Sequence, residues 1–321
     1  MDNTGLLIKF PVNRPITDWE IDRRLLQNRP SGAEPWQQTS IIRMNSTYLE
    51  CVDKFFESRG IITAISLFGI IIALWMLAIP VLLLIELLSL PPNEWKENIL
   101  LSIALLIMFV PLLFFTWRFV FRKEAFRFTH YPMRFNRKNQ MVYVTRLDGT
   151  VMAAPWDSLF FAPGDCGEEI RDIRMHRLAA DGATVLETHA LSHYSDVHDP
   201  NLLSQWEFIR RYMENGPAAF MDDITLVMNV HDRREGLIES FLRIHASSMG
   251  RMGFLGYTAL PVDLVYSLGR WIANITSKIP QWPEDVEREC QIDPDDPYIR
   301  DRDNLATQEE FRDAQERRGI S

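Results

Sequence analysis

Two uncharged apolar runs, Ile61 to Ile85 and Ile99 to Trp117, stand either side of one short polar loop. Few features constrain a chain more. At about 1.5 Å per helical residue the first run spans roughly 37 Å and the second roughly 28 Å, against a hydrocarbon core of about 30 Å. The connecting Pro91-Pro92-Asn93-Glu94-Trp95-Lys96-Glu97-Asn98 is too short to do more than turn the chain, so the helices are expected to be antiparallel neighbours. The pattern predicts a transmembrane helical hairpin with helices over about 61–87 and 98–118, and it disfavours a pair of buried core helices. Pro80 and Pro111 interrupt helical hydrogen bonding, which membrane helices tolerate.

Flanking charge sets the expected orientation. Arg43, Lys54 and Arg59 precede the first helix, and Arg118, Arg122, Lys123, Arg127, Arg134, Arg137 and Lys138 follow the second, whereas the loop holds Lys96 among glutamates. The positive-inside rule then places both termini in the cytoplasm, and Trp95 and the Phe114 to Phe121 aromatics match the interfaces. The opening Met-Asp-Asn-Thr-Gly lacks a signal-peptide pattern, so the first helix is expected to act as its own insertion signal. Glu86 sits at the end of the first helix, where an interfacial address outweighs an ion-pathway role. Gly69 and Ala73 have small-xxx-small spacing, which admits a homo-oligomer.

Around the hairpin the composition is that of a globular chain, with 47% hydrophobic and 24% charged residues, and this leaves room for a domain with a core of its own. The expected organisation is an N-terminal cytoplasmic segment (1–58), the hairpin (59–121), a cytoplasmic α+β domain (122–282) and an acidic C-terminal tail (283–321). The net charge of -9 is concentrated at that end, where 283–321 holds thirteen acids against six bases. Its composition predicts a loosely ordered, solvated segment with a short helix near 307–318. The acids Glu284, Asp285, Glu287, Asp293, Asp295 and Asp296 are candidates for docking a basic partner. Three scattered cysteines suggest neither a disulfide framework nor a zinc site, and the sequons at Asn45 and Asn274 fall on the expected cytoplasmic side.

Past the hairpin the apolar period shortens. Phe126 and Phe128, Met133 and Phe135, Met141 and Tyr143, the Asp148-Gly149 turn and Val151 to Ala154 read as short antiparallel strands, and Ile173 to Leu178 pairs with Thr184 to Thr188 through Asp181-Gly182. An amphipathic helix follows, capped by Asp199-Pro200, with Leu202, Leu203, Trp206, Ile209, Tyr212 and Met213 on one face up to Gly216. A strand meander and a covering helix, in that order, suit a pleckstrin-homology-like fold. A further helix is expected over Arg234 to Ile244. The greasy segment 249–279 is broken by Pro261, Asp263 and Arg270, which favours a helix packed on the domain or lying at the interface over a third span.

Chemistry-bearing motifs are sparse. His189, His193, Asp196, His198 and Asp199 are close enough in sequence to suggest a divalent metal, yet the spacing fits no established site and reads better as a polar loop. No phosphate loop, nucleophile elbow, dinucleotide fingerprint or His-Glu-x-x-His helix occurs. The expectation is therefore a protein that is not an enzyme and takes no cofactor. Acidity argues against nucleic acid as a partner. The bases Arg118, Arg122, Lys123 and Arg127 are placed to meet anionic headgroups at a membrane surface.

Phe-Pro-Val-Asn-Arg-Pro (10–15), the hairpin, Met-Arg-Phe-Asn-Arg-Lys-Asn-Gln-Met-Val-Tyr-Val (133–144), Asp-Gly-Thr-Val with Pro-Trp-Asp-Ser-Leu (148–159) and Trp282-Pro283 together resemble an uncharacterised group of proteobacterial membrane proteins associated with type VI secretion. The resemblance implies an inner-membrane immunity or adaptor protein that binds and neutralises a secreted toxin, such as a basic nuclease. The alternative from the residues is a lipid- or envelope-sensing module without catalysis.

Overall fold

A computed structural model describes residues 9–36, 40–86, 95–166, 169–191 and 201–317. The chain divides into two compact units, each built from discontinuous segments. The first comprises residues up to 58, 128–233 and 279 onward, and the second 59–127 and 234–278.

Two antiparallel sheets form the first unit. The five-stranded sheet is a simple meander, β2 (Ile41–Met44), β3 (Tyr48–Cys51), β4 (Met133–Asn136), β5 (Met141–Thr145) and β6 (Val151–Pro155). Its register is set by pairs such as Leu49 with Phe135 and Phe135 with Val142, which put apolar side chains opposite one another on the core face. The four-stranded sheet runs in the order β1 (Arg14–Pro15), β9 (Thr184–Ala190), β8 (Glu169–Leu178) and β7 (Leu159–Cys166). The expected strand pairs 133–136/141–145 and 173–178/184–188 are both present, but no strand forms at Phe126 and Phe128, where Phe126 takes a left-handed φ of 60°. Two strands of the larger sheet, however, come from the N-terminal segment, so residues 41–51 belong to the same body as the strands that follow the hairpin.

Helix α5 (Asn201–Asn215) closes the core between these sheets. Trp206 is fully buried, stacked on Trp156 at 5.7 Å and tilted against Phe161 at 4.7 Å. The proposed Asp199-Pro200 cap lies outside the described residues. Glu207 faces inward on the same helix and accepts from Arg210, Arg211 and the Ser31 amide, so the buried carboxylate is fully engaged. Burial raises its pKa, yet these donors outweigh burial and hold it at about 2.

The C-terminal region departs from the expected solvated tail. A short helix, α8 (Glu284–Glu289), buries Val286 and Cys290 against Tyr48 and Tyr143 of the five-stranded sheet. Met44 and Arg300 exchange backbone hydrogen bonds at 2.9 and 2.8 Å, and the Ala306 amide donates to the Ile224 carbonyl. Apolar anchors spaced among the acids explain the difference, because net charge alone does not reveal which side of a segment carries its few hydrophobic residues. The last helix, α9 (Gln308–Arg317), forms where expected. Three short helices, α1 (Asp18–Asp22), α2 (Phe55–Ser58) and a turn at Trp156–Ser158, complete the unit.

The second unit is helical. Helices α3 (Ile61–Glu86) and α4 (Trp95–Phe115) pack side by side, and α4 continues through a π-helical turn at Thr116–Val120. The stretches Phe55–Glu86 and Asn98–Lys123 are long and apolar enough to cross a membrane, and only 11% of each one's most apolar window is buried. Their inner faces carry Thr63, Ser66, Ala73 and Ser102, while leucine, isoleucine and phenylalanine point outward. Glu124 holds the start of α3, accepting from the amides of Gly60 and Thr63 at 3.1 and 2.9 Å and from the Thr63 hydroxyl at 2.8 Å. Two more helices, α6 (Leu237–Met252) and α7 (Leu260–Thr276), complete this unit, and α7 lies against α3.

Candidate functional site

On the first unit, α8 presents a ridge of carboxylates whose placement follows from helical spacing. Val286 and Cys290, four residues apart, point down onto the sheet, which leaves Glu284, Asp285, Glu287 and Glu289 exposed, with one base, Arg288, among them. Asp293 and Asp295 extend the exposed acidic surface beyond the helix. Asp296 is different. It is 9% exposed and accepts from the Ser46 amide at 2.7 Å, the Ser46 hydroxyl at 2.8 Å and the Tyr298 amide at 2.9 Å. Of the six acids singled out in the sequence, five face outward and Asp296 fastens the segment to the β2–β3 turn.

Beneath the ridge is a buried ionic cluster that the sequence did not disclose. Arg134 on β4 is 1% exposed, donates through Nε to Glu50 at 3.0 Å and through Nη2 to Glu287 at 3.1 Å. Its guanidinium lies between the rings of Tyr48, at 4.5 Å, and Trp282, at 4.8 Å. The second Glu50 oxygen accepts from the Trp282 indole at 2.9 Å. Burial opposes the charge on Arg134, but the facing Glu50 carboxylate more than compensates and its pKa is raised. Tyr143 donates to Glu289, which also accepts from Asn139 at 3.1 Å. A base and an acid on adjacent strands thus hold the acidic helix in one posture. Arg134 stood out in the sequence only as one of the bases after the hairpin, and Trp282 only as part of a motif.

A cavity of about 400 Å³ opens elsewhere on this unit, with Phe10, Val12, Tyr131 and Leu186 among its walls and Arg146, Glu187 and His189 at its polar side. Glu187 accepts from His189 at 2.9 Å and from Arg146 at 2.5 and 3.0 Å, and these partners overcome burial to keep its carboxyl well below the usual range. His189 is therefore hydrogen-bonded to its β9 neighbour Glu187. The other members of the histidine-aspartate group, His193, Asp196, His198 and Asp199, lie outside the described residues. Among the described residues no three histidine, cysteine or acidic side chains come together in a metal-holding arrangement.

The sequon asparagines are structural. Asn45 is fully buried, with Oδ1 accepting from the Thr47 and Tyr48 amides, and Asn274 is 2% exposed. Cys51 and Cys290 are buried free thiols, and burial pushes the Cys51 thiol up to about 12.

On the second unit, Arg118, Arg122 and Arg127 are exposed where α4 ends, and Lys123 is half-buried. Arg118 lies over the Phe119 ring at 5.3 Å, and Arg127 Nε donates to the Arg122 carbonyl at 3.2 Å. Gly69 approaches Thr116, and Ala73 is 1% exposed, so the small-residue face of α3 packs within the chain.

A model described as a family of unknown function (DUF6708) matches residues 110–294, more than half of the chain. No curated protein and no solved structure matches.

Proposed function

We propose, for a chain that belongs to this family of unknown function, the role of a membrane-anchored binding protein. The observation that carries the reading is the posture of α8: a row of exposed acids, held on the sheet by the buried Glu50–Arg134–Trp282 cluster, in a chain that also has two helices fit to cross a bilayer. A rigid acidic ridge steers and orients a basic protein surface, because complementary charge accelerates encounter and fixes register. The hairpin anchors the chain in the bacterial inner membrane with both termini cytoplasmic, and the two-sheet unit with its covering helix serves as a pleckstrin-homology-like platform. The partner is a secreted toxin of the type VI class, nuclease-like or otherwise basic, which this immunity or adaptor protein neutralises.

The test is a pull-down of the tagged full chain from its native membrane in mild detergent, repeated with Glu284→Lys, Asp285→Lys and Asp293→Lys combined. A stoichiometric basic protein captured by the parent and lost from the variant supports the reading; equal capture by both removes the ridge from it. A lipid-sensing role is favoured by one observation, the exposed Arg118, Arg122 and Arg127 at the end of α4, where each base near an anionic surface is worth about 1 kcal/mol. Recovery of anionic lipid without any protein supports that second reading.

A further inference from the structure

The helical unit is inside out. Along α7 the buried positions are Asp263, Ser267, Arg270 and Asn274, spaced by three or four residues, together with Gly269 and Ala273. The exposed positions are Val262, Leu264, Val265, Leu268 and Ile275, between 45% and 69% exposed. A helix bathed in water turns its polar stripe outward and its aliphatic stripe inward. α6 shows the inversion in part, burying Ser240 together with Ile244 while Ile238 and Leu242 stand out at 74% and 59%, and Leu255 and Tyr257 in the connection continue the apolar surface. So large a contiguous apolar face marks an interaction surface.

We propose that α6 and α7 form a second bilayer-immersed helical hairpin, re-entrant from the same side as the chain termini, whose outer face is covered by lipid acyl chains. The proposal rests on the membrane reading of α3 and α4. Three observations identify the occupant as hydrocarbon.

First, the surface is continuous with that of the long hairpin, because α7 meets α3 backbone to backbone. A Cβ on Gly60 would lie 2.5 Å from the Arg270 backbone, and one on Gly269 would lie 2.6 Å from the Ala64 side chain. Small residues at a crossing are how helices associate in lipid.

Second, the alignment is antiparallel. Arg59 donates to the Ala273 carbonyl at 3.2 Å, Gly60 touches Arg270 and Ala64 touches Gly269, so the chain running back from Gly269 toward Val262 travels in the direction in which α3 advances. The most exposed aliphatic residues are thereby carried alongside α3 into the layer it enters. With 17 residues α7 is about 25 Å long, short of a full crossing and suited to re-entry.

Third, the buried acids and bases of the interior are paired with one another, as a water-free surrounding requires, although the Ser240 hydroxyl is buried without a hydrogen-bond partner. Arg270 pairs with Glu235 at 2.6 Å, which also receives Arg243 and Asn274. Asp263 accepts from His245 at 2.9 Å and from Ser248 at 2.8 Å.

The experiment places an environment-sensitive nitrobenzoxadiazole label on single cysteines in a Cys166→Ser background, where Cys51 and Cys290 are buried. The full chain carrying Leu264→Cys, Ile275→Cys, Ile107→Cys or Asp295→Cys is reconstituted into vesicles of phosphatidylcholine and phosphatidylglycerol. Blue-shifted emission at 264 and 107, lost to doxyl lipids and insensitive to iodide, is the expected result, with 275 quenched most by doxyl groups near the headgroup and 295 by iodide. Iodide quenching at 264 with lipid quenching at 107 overturns the re-entrant hairpin and leaves the long one intact. Iodide quenching at both overturns the two readings together.

Discussion

Replacing Arg134 by methionine tests whether a buried charge cluster, rather than apolar contact alone, holds the acidic helix. Methionine keeps most of the volume and removes the cation from between Tyr48 and Trp282. Glu50, 1% exposed, is then left as a buried carboxylate facing an apolar side chain. Breaking a buried pair in this way costs about 3–5 kcal/mol, and Nη1 of Arg134, buried with no hydrogen-bond partner, makes the parent pair imperfect and sets the expectation near the lower bound, about 3 kcal/mol. With a urea slope of about 1–3 kcal/mol/M, the midpoint should fall by about 1–3 M. Pulse proteolysis of the full chain in detergent, scored for cleavage in residues 279–306, reads that shift. Adding Glu50→Gln removes the stranded charge but retains an oxygen for the Trp282 indole, so the double variant should recover most of the loss. A single variant costing less than about 1 kcal/mol, or a double no better than the single, refutes the electrostatic account.

Glu207 supplies a pH dependence with a definite sign. Its carboxyl ionises at about 2 in the fold against 4.5 without its partners, so its stabilisation is complete above about 4.5 and is lost as pH falls through about 2. At about 1.4 kcal/mol per unit this amounts to about 3 kcal/mol, and urea midpoints between pH 5 and 2 should fall less steeply for Glu207→Gln than for the parent. Gly164→Ala should destabilise the first unit, because its Cβ would lie 1.7 Å from Asp172 Oδ1, an atom of a carboxylate fixed by Lys54 at 2.5 Å; an unchanged melting temperature would contradict this placement. Trp206→Ala, at the centre of the Trp156–Phe161 cluster, should cost about 3–5 kcal/mol by denaturant melting, and a loss below about 1 kcal/mol would mean the core collapses around the site.

Local pattern alone determined the parts of this chain whose order is local. The two apolar runs follow from their length and unbroken hydrophobicity, while the pairs 133–136/141–145 and 173–178/184–188 and the face of α5 follow from which side of a strand or helix is apolar. The six acids near the C-terminus and the four bases at the end of α4 were legible as well, since charge is written directly in composition. Tertiary structure decided what contact across long separations decides. Leu49 pairs with Phe135 across the inserted hairpin segment 59–127, Arg134 meets both Glu50 and Glu287, and Asp296 turns inward to Ser46, so a segment with the composition of a solvated tail becomes part of the sheet's surface. The α7 stripe shows the same division. Its amphipathic spacing is in the sequence, but which stripe faces the protein was set by Gly60 and Gly269, where the absence of two side chains lets backbones meet and turns the polar face in.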